Sequence, residues 1–236
     1  MKILYTLVLS LLALNAFAQE EGGAGINISL YAFDYANGHK TVYVMDGEES
    51  VEKVRLSTAN IEGPYKTKMN DAREVFLRSK GTNEEGEVVY PIIAKVKIPL
   101  IVKDPLLVMV PAKDEYVYQA LVIDRAVTDF AAGGYKMINF TNTPLRGKVG
   151  DARVEVKPRN IVTFTPGGDF GKMIDVRFQH RLTGDWKSFT STRWQKVKNI
   201  RHLLCAYQDP RTQRVKIRGI VIHPYSKAPK KEVVTQ

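Results

Sequence analysis

The chain has 236 residues, 44% of them hydrophobic, with 35 lysines and arginines against 25 aspartates and glutamates, for a formal net charge of +10. Its single cysteine, Cys205, rules out an intramolecular disulfide framework, and the length suffices for two cores of ordinary domain size. The cationic surplus favours an anionic partner.

The first residues read as a targeting signal. Lys2 precedes an apolar stretch from Ile3 to Leu14, and Ala16-Phe17-Ala18 places small residues at a cleavage site. Residues 1–18 are therefore expected to be a signal peptide, and 19–25 a flexible leader. The apolar stretch is shorter than the roughly 20 residues a membrane span needs, and no later segment approaches one. Export without disulfides indicates a bacterial protein of the periplasm, the cell surface or the extracellular space.

Beyond the leader, short strands alternate with turn signals. Ile26 to Leu30, Val42 to Val44, Val51 to Leu56 and Val75 to Leu77 read as strands, followed by the alternating Ala94-Lys95-Val96-Lys97-Ile98. Leu106 to Val110 and Tyr116 to Ile123 flank a turn at Lys113-Asp114-Glu115. Residues 125–134 change character, with one possible helical turn at Ala126 to Ala132 and a break at Gly133-Gly134. Strands resume at Tyr135 to Phe140, Arg153 to Val156, Ile161 to Phe164, Ile174 to Gln179 and Trp186 to Phe189. The last two flank Asp209-Pro210-Arg211. Residues 225–236 are expected to be a basic, disordered tail.

The two halves echo each other. Leu106 to Val110 matches Leu203 to Tyr207, and Ala120-Leu121-Val122-Ile123 matches Gly219-Ile220-Val221-Ile222. Val51 to Val54 matches Val154 to Lys157, and Asn60-Ile61 matches Asn160-Ile161. Ordered echoes about 100 residues apart indicate an internal duplication. The expected fold is all-β: two tandem antiparallel β-sandwiches, immunoglobulin-like or related, of about seven strands each. The first spans 26–124, the linker 125–134 and the second 135–224.

Chemistry is harder to find. His39, His180, His202 and His223 have no metal-ligand spacing, so neither a metal nor a cofactor is expected. The run Gly167-Gly168-Asp169-Phe170-Gly171-Lys172 fails the phosphate-loop pattern at Pro166 and Met173 and reads as a glycine-rich turn. No nucleophile setting is recognisable. Cys205 lies in an apolar strand and reads as a small buried hydrophobe.

The strongest candidate is an aromatic-basic window holding both tryptophans: Trp186, Lys187, Arg193, Trp194, Lys196, Lys198 and Arg201. Exposed indoles stack on sugar faces and neighbouring cations hold carboxylate or sulfate. Alternatively the indoles anchor the core and the cations face water. The expected function is that of an exported, non-catalytic structural or adhesive cell-envelope protein. The alternative is a binding module for anionic polysaccharide. Partners are an acidic glycan or an envelope protein rather than nucleic acid.

Overall fold

The computed structural model describes residues 24–46, 51–112, 116–126, 130–209 and 212–223. The expected signal peptide, most of the leader and the basic tail lie outside them. So do the turns at 47–50, 113–115 and 210–211 and the middle of the expected helical turn.

The described chain is all-β. The first half contains β1 (Gly25–Ala32), β2 (Thr41–Met45), β3 (Val51–Arg55), β4 (Glu62–Lys68) and β5 (Glu74–Arg78). A short hairpin, β6 (Gly81–Thr82) and β7 (Val88–Val89), precedes β8 (Ile92–Lys97), β9 (Pro105–Pro111) and β10 (Tyr118–Asp124). The second half contains β11 (Tyr135–Asn139), β12 (Leu145–Val149), β13 (Ala152–Val156) and β14 (Ile161–Phe164). It closes with β15 (Met173–Leu182), β16 (Asp185–Gln195), β17 (Arg201–Gln208) and β18 (Val215–Ile222).

Each half makes two four-stranded sheets. In the first half their orders are β10-β9-β1-β4 and β3-β2-β5-β8; in the second they are β18-β17-β11-β14 and β13-β12-β15-β16. The orders correspond strand for strand. Most pairings are antiparallel, but β1 runs parallel to β9 and β11 parallel to β17, so the expectation of purely antiparallel sheets needs that correction. Registers agree as well. Leu107 lies opposite Val122, and Leu204 lies opposite Gly219, 97 positions later in both cases.

The strand register refines the sequence echoes. Val51 to Val54 and Val154 to Val156 fall on corresponding strands, with Lys157 just beyond, but the two runs are one residue out of phase. Val54 is buried where Lys157 is exposed, and a one-residue slip moves a side chain to the other face of a sheet. Likewise, pairing places Gly219 at the position of Val122, not that of Ala120.

The halves are not beads on a linker. Three apolar layers separate four sheets. Ile28, Leu30, Val42, Leu77 and Met109 fill the first sandwich. Met137, Val149, Val176, Phe178 and Leu204 fill the second. Between them, Tyr31, Phe33, Leu106, Val108 and Ile123 of the first half meet Ile138, Leu203, Cys205, Ile220 and Ile222 of the second, with Phe130 of the connection. The two inner sheets are thus covered on both faces. That explains why β9 and β17 read as unbroken apolar runs rather than alternating ones.

Two arginines of the second half clamp this middle layer. Arg218 donates to the Phe33 carbonyl, and its guanidinium lies over the Phe33 and Tyr207 rings at 4.6 and 5.7 Å. Arg201 donates to the Arg125 and Phe130 carbonyls of the connection, and Arg125 pairs with Asp104 at 2.5 Å. Asn139 is fully buried. It donates to the Thr143, Val156 and Lys157 carbonyls and accepts from Thr141, so it ties β11 to the end of β13. Among the described residues no helix is long and apolar enough to cross a membrane.

Cys205 sits in the middle layer at 0% exposure, as expected of a small core residue. Burial pushes its thiol up to about 12, partly offset by Arg218. Negligible thiolate exists at neutral pH, and the thiolate is the reactive species. A thiol reagent should label no cysteine in the native protein and one after unfolding; rapid native labelling would contradict the packing.

Candidate functional site

The residues of the aromatic-basic window are spread over several environments. β16 is continuous from Asp185 to Gln195, but its pairing with β15 shifts between Phe178 and Gln179. Phe178 opposes Thr190 whereas Gln179 opposes Ser188, so Phe189 is an extra residue, a β-bulge. The bulge reverses the alternation. Trp194 opposes Ile174 on the inner face, while Trp186 opposes Arg181 on the outer face.

The two indoles therefore do not form one platform. Trp194 packs at the margin of the second core, its ring near Tyr135 and Phe178 at 6.0 and 6.4 Å. Trp186 lies outside, under the Arg146 guanidinium at 4.4 Å. Both are half-buried.

The cations divide similarly. Arg193 is exposed and lies 3.5 Å from Asp175. Lys187 is exposed opposite His180, and Lys198 is exposed in the loop leading to β17. Lys196 is buried, donating its Nζ to the Gly168 carbonyl at 2.7 Å above the Phe170 ring. It thereby pins the glycine-rich turn, where Gly168 and Gly171 adopt positive φ. Arg201 is the buried clamp described above. In these positions Lys196 and Arg201 serve internal carbonyls.

Charge instead concentrates on the outer face of the sheet β13-β12-β15-β16. Arg146 and Lys148 of β12, Arg153 of β13, Arg177 and Arg181 of β15 and Arg193 of β16 share this face, against Glu155 and Asp175. Lys148 lies directly opposite Arg153 on one side and Arg177 on the other. All three are exposed, and none has a carboxylate within ion-pair distance among the described residues. Like charges opposed across strands destabilise a sheet. An anion seated over the row would relieve that repulsion.

The next row is polar and aromatic. Arg146 donates Nε to the Gln179 side chain at 2.7 Å and covers Trp186. This fixes a guanidinium that charge counting alone treats as mobile. The alternation of Leu145-Arg146-Gly147-Lys148-Val149 is the sequence signal for this face.

The outer face of the first sandwich has a related character. Tyr43 lies between Lys53 and Arg78, and Lys95 pairs with Glu74 at 3.1 Å near the Phe76 ring. The stack thus carries a basic, aromatic-containing face at each end.

His180 is buried and His202 half-buried, and Nδ1 of the first and Nε2 of the second are closed to solvent with no hydrogen-bond partner among the described residues. Burial lowers both pKa values, and Lys187 adds to the effect at His180. The unfolded chain therefore binds more protons than the folded one as pH falls through the ordinary histidine value of about 6.5. The histidine contribution to stability should be complete above that pH and decline below it. Urea midpoints at pH 7.5 and pH 5.5 check the sign; a higher midpoint at pH 5.5 that His202→Gln abolishes would contradict it.

Among the described residues no group of three or more His, Cys, Asp or Glu side chains is placed to hold a metal. No protein-family model and no curated protein matches this chain.

Proposed function

We propose that this chain is an exported, non-catalytic adhesive or structural protein of the cell envelope that holds an anionic polysaccharide on its outer sheet faces. One observation carries the reading: the Arg153-Lys148-Arg177 row, three adjacent exposed cations with no carboxylate within ion-pair distance among the described residues. The two sandwiches derive from one duplicated unit, a reading supported by the matching strand orders and the common 97-residue spacing of paired positions. Duplication followed by face-to-face packing turns the two outer sheets away from each other, so the protein has two adhesive ends.

Binding to immobilised polygalacturonate and to neutral dextran across a salt series tests this. Retention should be confined to the acidic polymer and should fade with salt, because exposed charges are screened. Changing Lys148, Arg153 and Arg177 together to glutamine should weaken binding about tenfold at low salt, at roughly 0.5 kcal/mol per exposed charge contact. The same variant should melt no lower than the parent, since it removes only repulsion. Equal retention on dextran, or an unchanged triple variant, would refute the reading.

A further inference from the structure

The second sandwich is open along one edge. Between β16 and β18 lies a slot of about 540 Å³, within the range of about 300–1,000 Å³ of ligand pockets. Trp194, Thr190 and Thr192 of β16 face Tyr135, His202 and Gly219 across it, with Arg193 and Gln195 along the rim.

In the first sandwich this row holds one tyrosine and two apolar residues. There the corresponding inner row reads Tyr65-Ile28-Pro105, by pairing. In the second sandwich it reads Phe164-Tyr135-His202. The position of Val122, which packs against the first core, is Gly219 in the second. The second copy has thus lost a side chain at the edge and gained two polar rings next to the space.

Those rings are not satisfied. Tyr135 is 1% exposed, and its hydroxyl has no hydrogen-bond partner among the described residues. His202 stacks on Tyr135 at 4.7 Å and 14°, and its Nε2 also lacks a partner among the described residues. Buried polar groups in folded proteins are nearly always paired, so two orphans lining one slot indicate a polar occupant.

We propose that this slot binds one acidic sugar residue of the polymer, a polyhydroxylated ring bearing a carboxylate. This rests on the polysaccharide reading above. The ring packs against Trp194 and the apolar floor of Leu204 and Ile217. Its hydroxyls reach the Tyr135 hydroxyl and His202 Nε2 by parting the edge side chains that close both atoms off from solvent, and its carboxylate draws the exposed Arg193 over the rim from its place 3.5 Å from Asp175. The outer-face cations hold the length of a polymer, and the slot selects a sugar.

The probe is trigalacturonate, titrated into a Trp186→Phe background in which Trp194 is the sole indole. Binding should change Trp194 fluorescence, and the neutral trisaccharide should bind more weakly. Gly219→Leu fills the slot: a Cβ there meets only Leu204 Cδ2 at 3.9 Å, and the backbone is not in the positive-φ region. It should abolish the response with the melting temperature held. Tyr135→Phe removes one oxygen and should weaken binding about fivefold, the worth of one hydrogen bond. Its melting temperature should stay level or rise, because an unpaired buried hydroxyl is a cost; a purely structural hydroxyl would show the reverse pattern.

The Lys148/Arg153/Arg177 glutamine variant should lose the long polymer yet keep the trisaccharide response. Parental binding by Gly219→Leu would overturn the slot and leave the outer-face reading standing. Loss of melting temperature in Tyr135→Phe with unchanged binding would mean that the hydroxyl serves only ordered water. Equal affinity for acidic and neutral trisaccharides would overturn the carboxylate assignment. Failure of polymer and trisaccharide alike would overturn both readings.

Discussion

Leu106→Asp is expected to lower the stability of the whole protein by several kcal/mol. Leu106 is fully buried in the layer between the two halves, beside Ile123 across the β9–β10 pair. An aspartate there puts a charge into an apolar layer, and an uncompensated buried charge costs about 3–5 kcal/mol. For a chain of this size that corresponds to a fall of about 6–20 °C in melting temperature. Protonation would neutralise the carboxylate, so the deficit should shrink at pH 4.5. Leu100→Asp is the control: Leu100 is 80% exposed, and its replacement should move stability by no more than about 0.5 kcal/mol. Thermal melts of both variants at two pH values check this. Equal melting of the two would show that the middle layer is not a true core.

Gly147→Val should be the most damaging small-to-large change in the second sandwich. Gly147 lies on β12 opposite Phe178. A Cβ there would stand 2.2 and 2.4 Å from two Phe178 ring carbons and 2.8 Å from the Arg177 carbonyl oxygen. Phe178 is fully buried, with the Phe189 and Trp194 rings at 6.3 and 6.4 Å, so its ring has little space to withdraw. Overpacking of this kind costs about 1–3 kcal/mol, and the backbone contact places valine at the upper end. Gly25→Ala meets only Lys66 Cε at 3.5 Å and should be nearly neutral. Urea unfolding followed by tryptophan fluorescence compares the two; equal midpoints would mean that Phe178 repacks freely.

The strand content was legible because turn signals bracket most strands. Leu106 to Val110 and Leu203 to Tyr207 were legible as strands, but not as the inner layers of one stack. An unbroken apolar run states that both faces are covered and does not say by what. β4 escaped notice because Gly63-Pro64 interrupts it and only Tyr65 and Thr67 point inward between exposed lysines. β12 escaped because Gly147 stands where an inward apolar residue is expected, and its outward neighbours are Arg146 and Lys148. The glycine makes room for Phe178, a requirement set by a strand 31 residues away.

The aromatic-basic window shows the limit for sites. Even spacing of Trp186 and Trp194 implies one face only if the strand keeps its alternation, and the bulge at Phe189 breaks it. Lys196 and Arg201 read as solvent cations, yet each donates to backbone carbonyl groups across the chain, at Gly168 and at Arg125 and Phe130. Arg193 alone joins the window to the charged outer face. The Arg153-Lys148-Arg177 row comes from three strands, and only their pairing brings it together.

The proposal of two basic faces on one body depends on the four sheets behaving as a single cooperative unit. Both tryptophans lie in the second half, so their fluorescence reports that half alone, whereas far-ultraviolet circular dichroism reports all strands. Leu77 is fully buried in the first sandwich, remote in sequence from either indole, and Leu77→Ala should cost about 2–5 kcal/mol. Unfolding of this variant in urea should give one transition, with the tryptophan and dichroism midpoints coincident and both shifted below the parent. A tryptophan midpoint that stays at the parental value while the dichroism separates into two steps would show two independent sandwiches and contradict the fused stack.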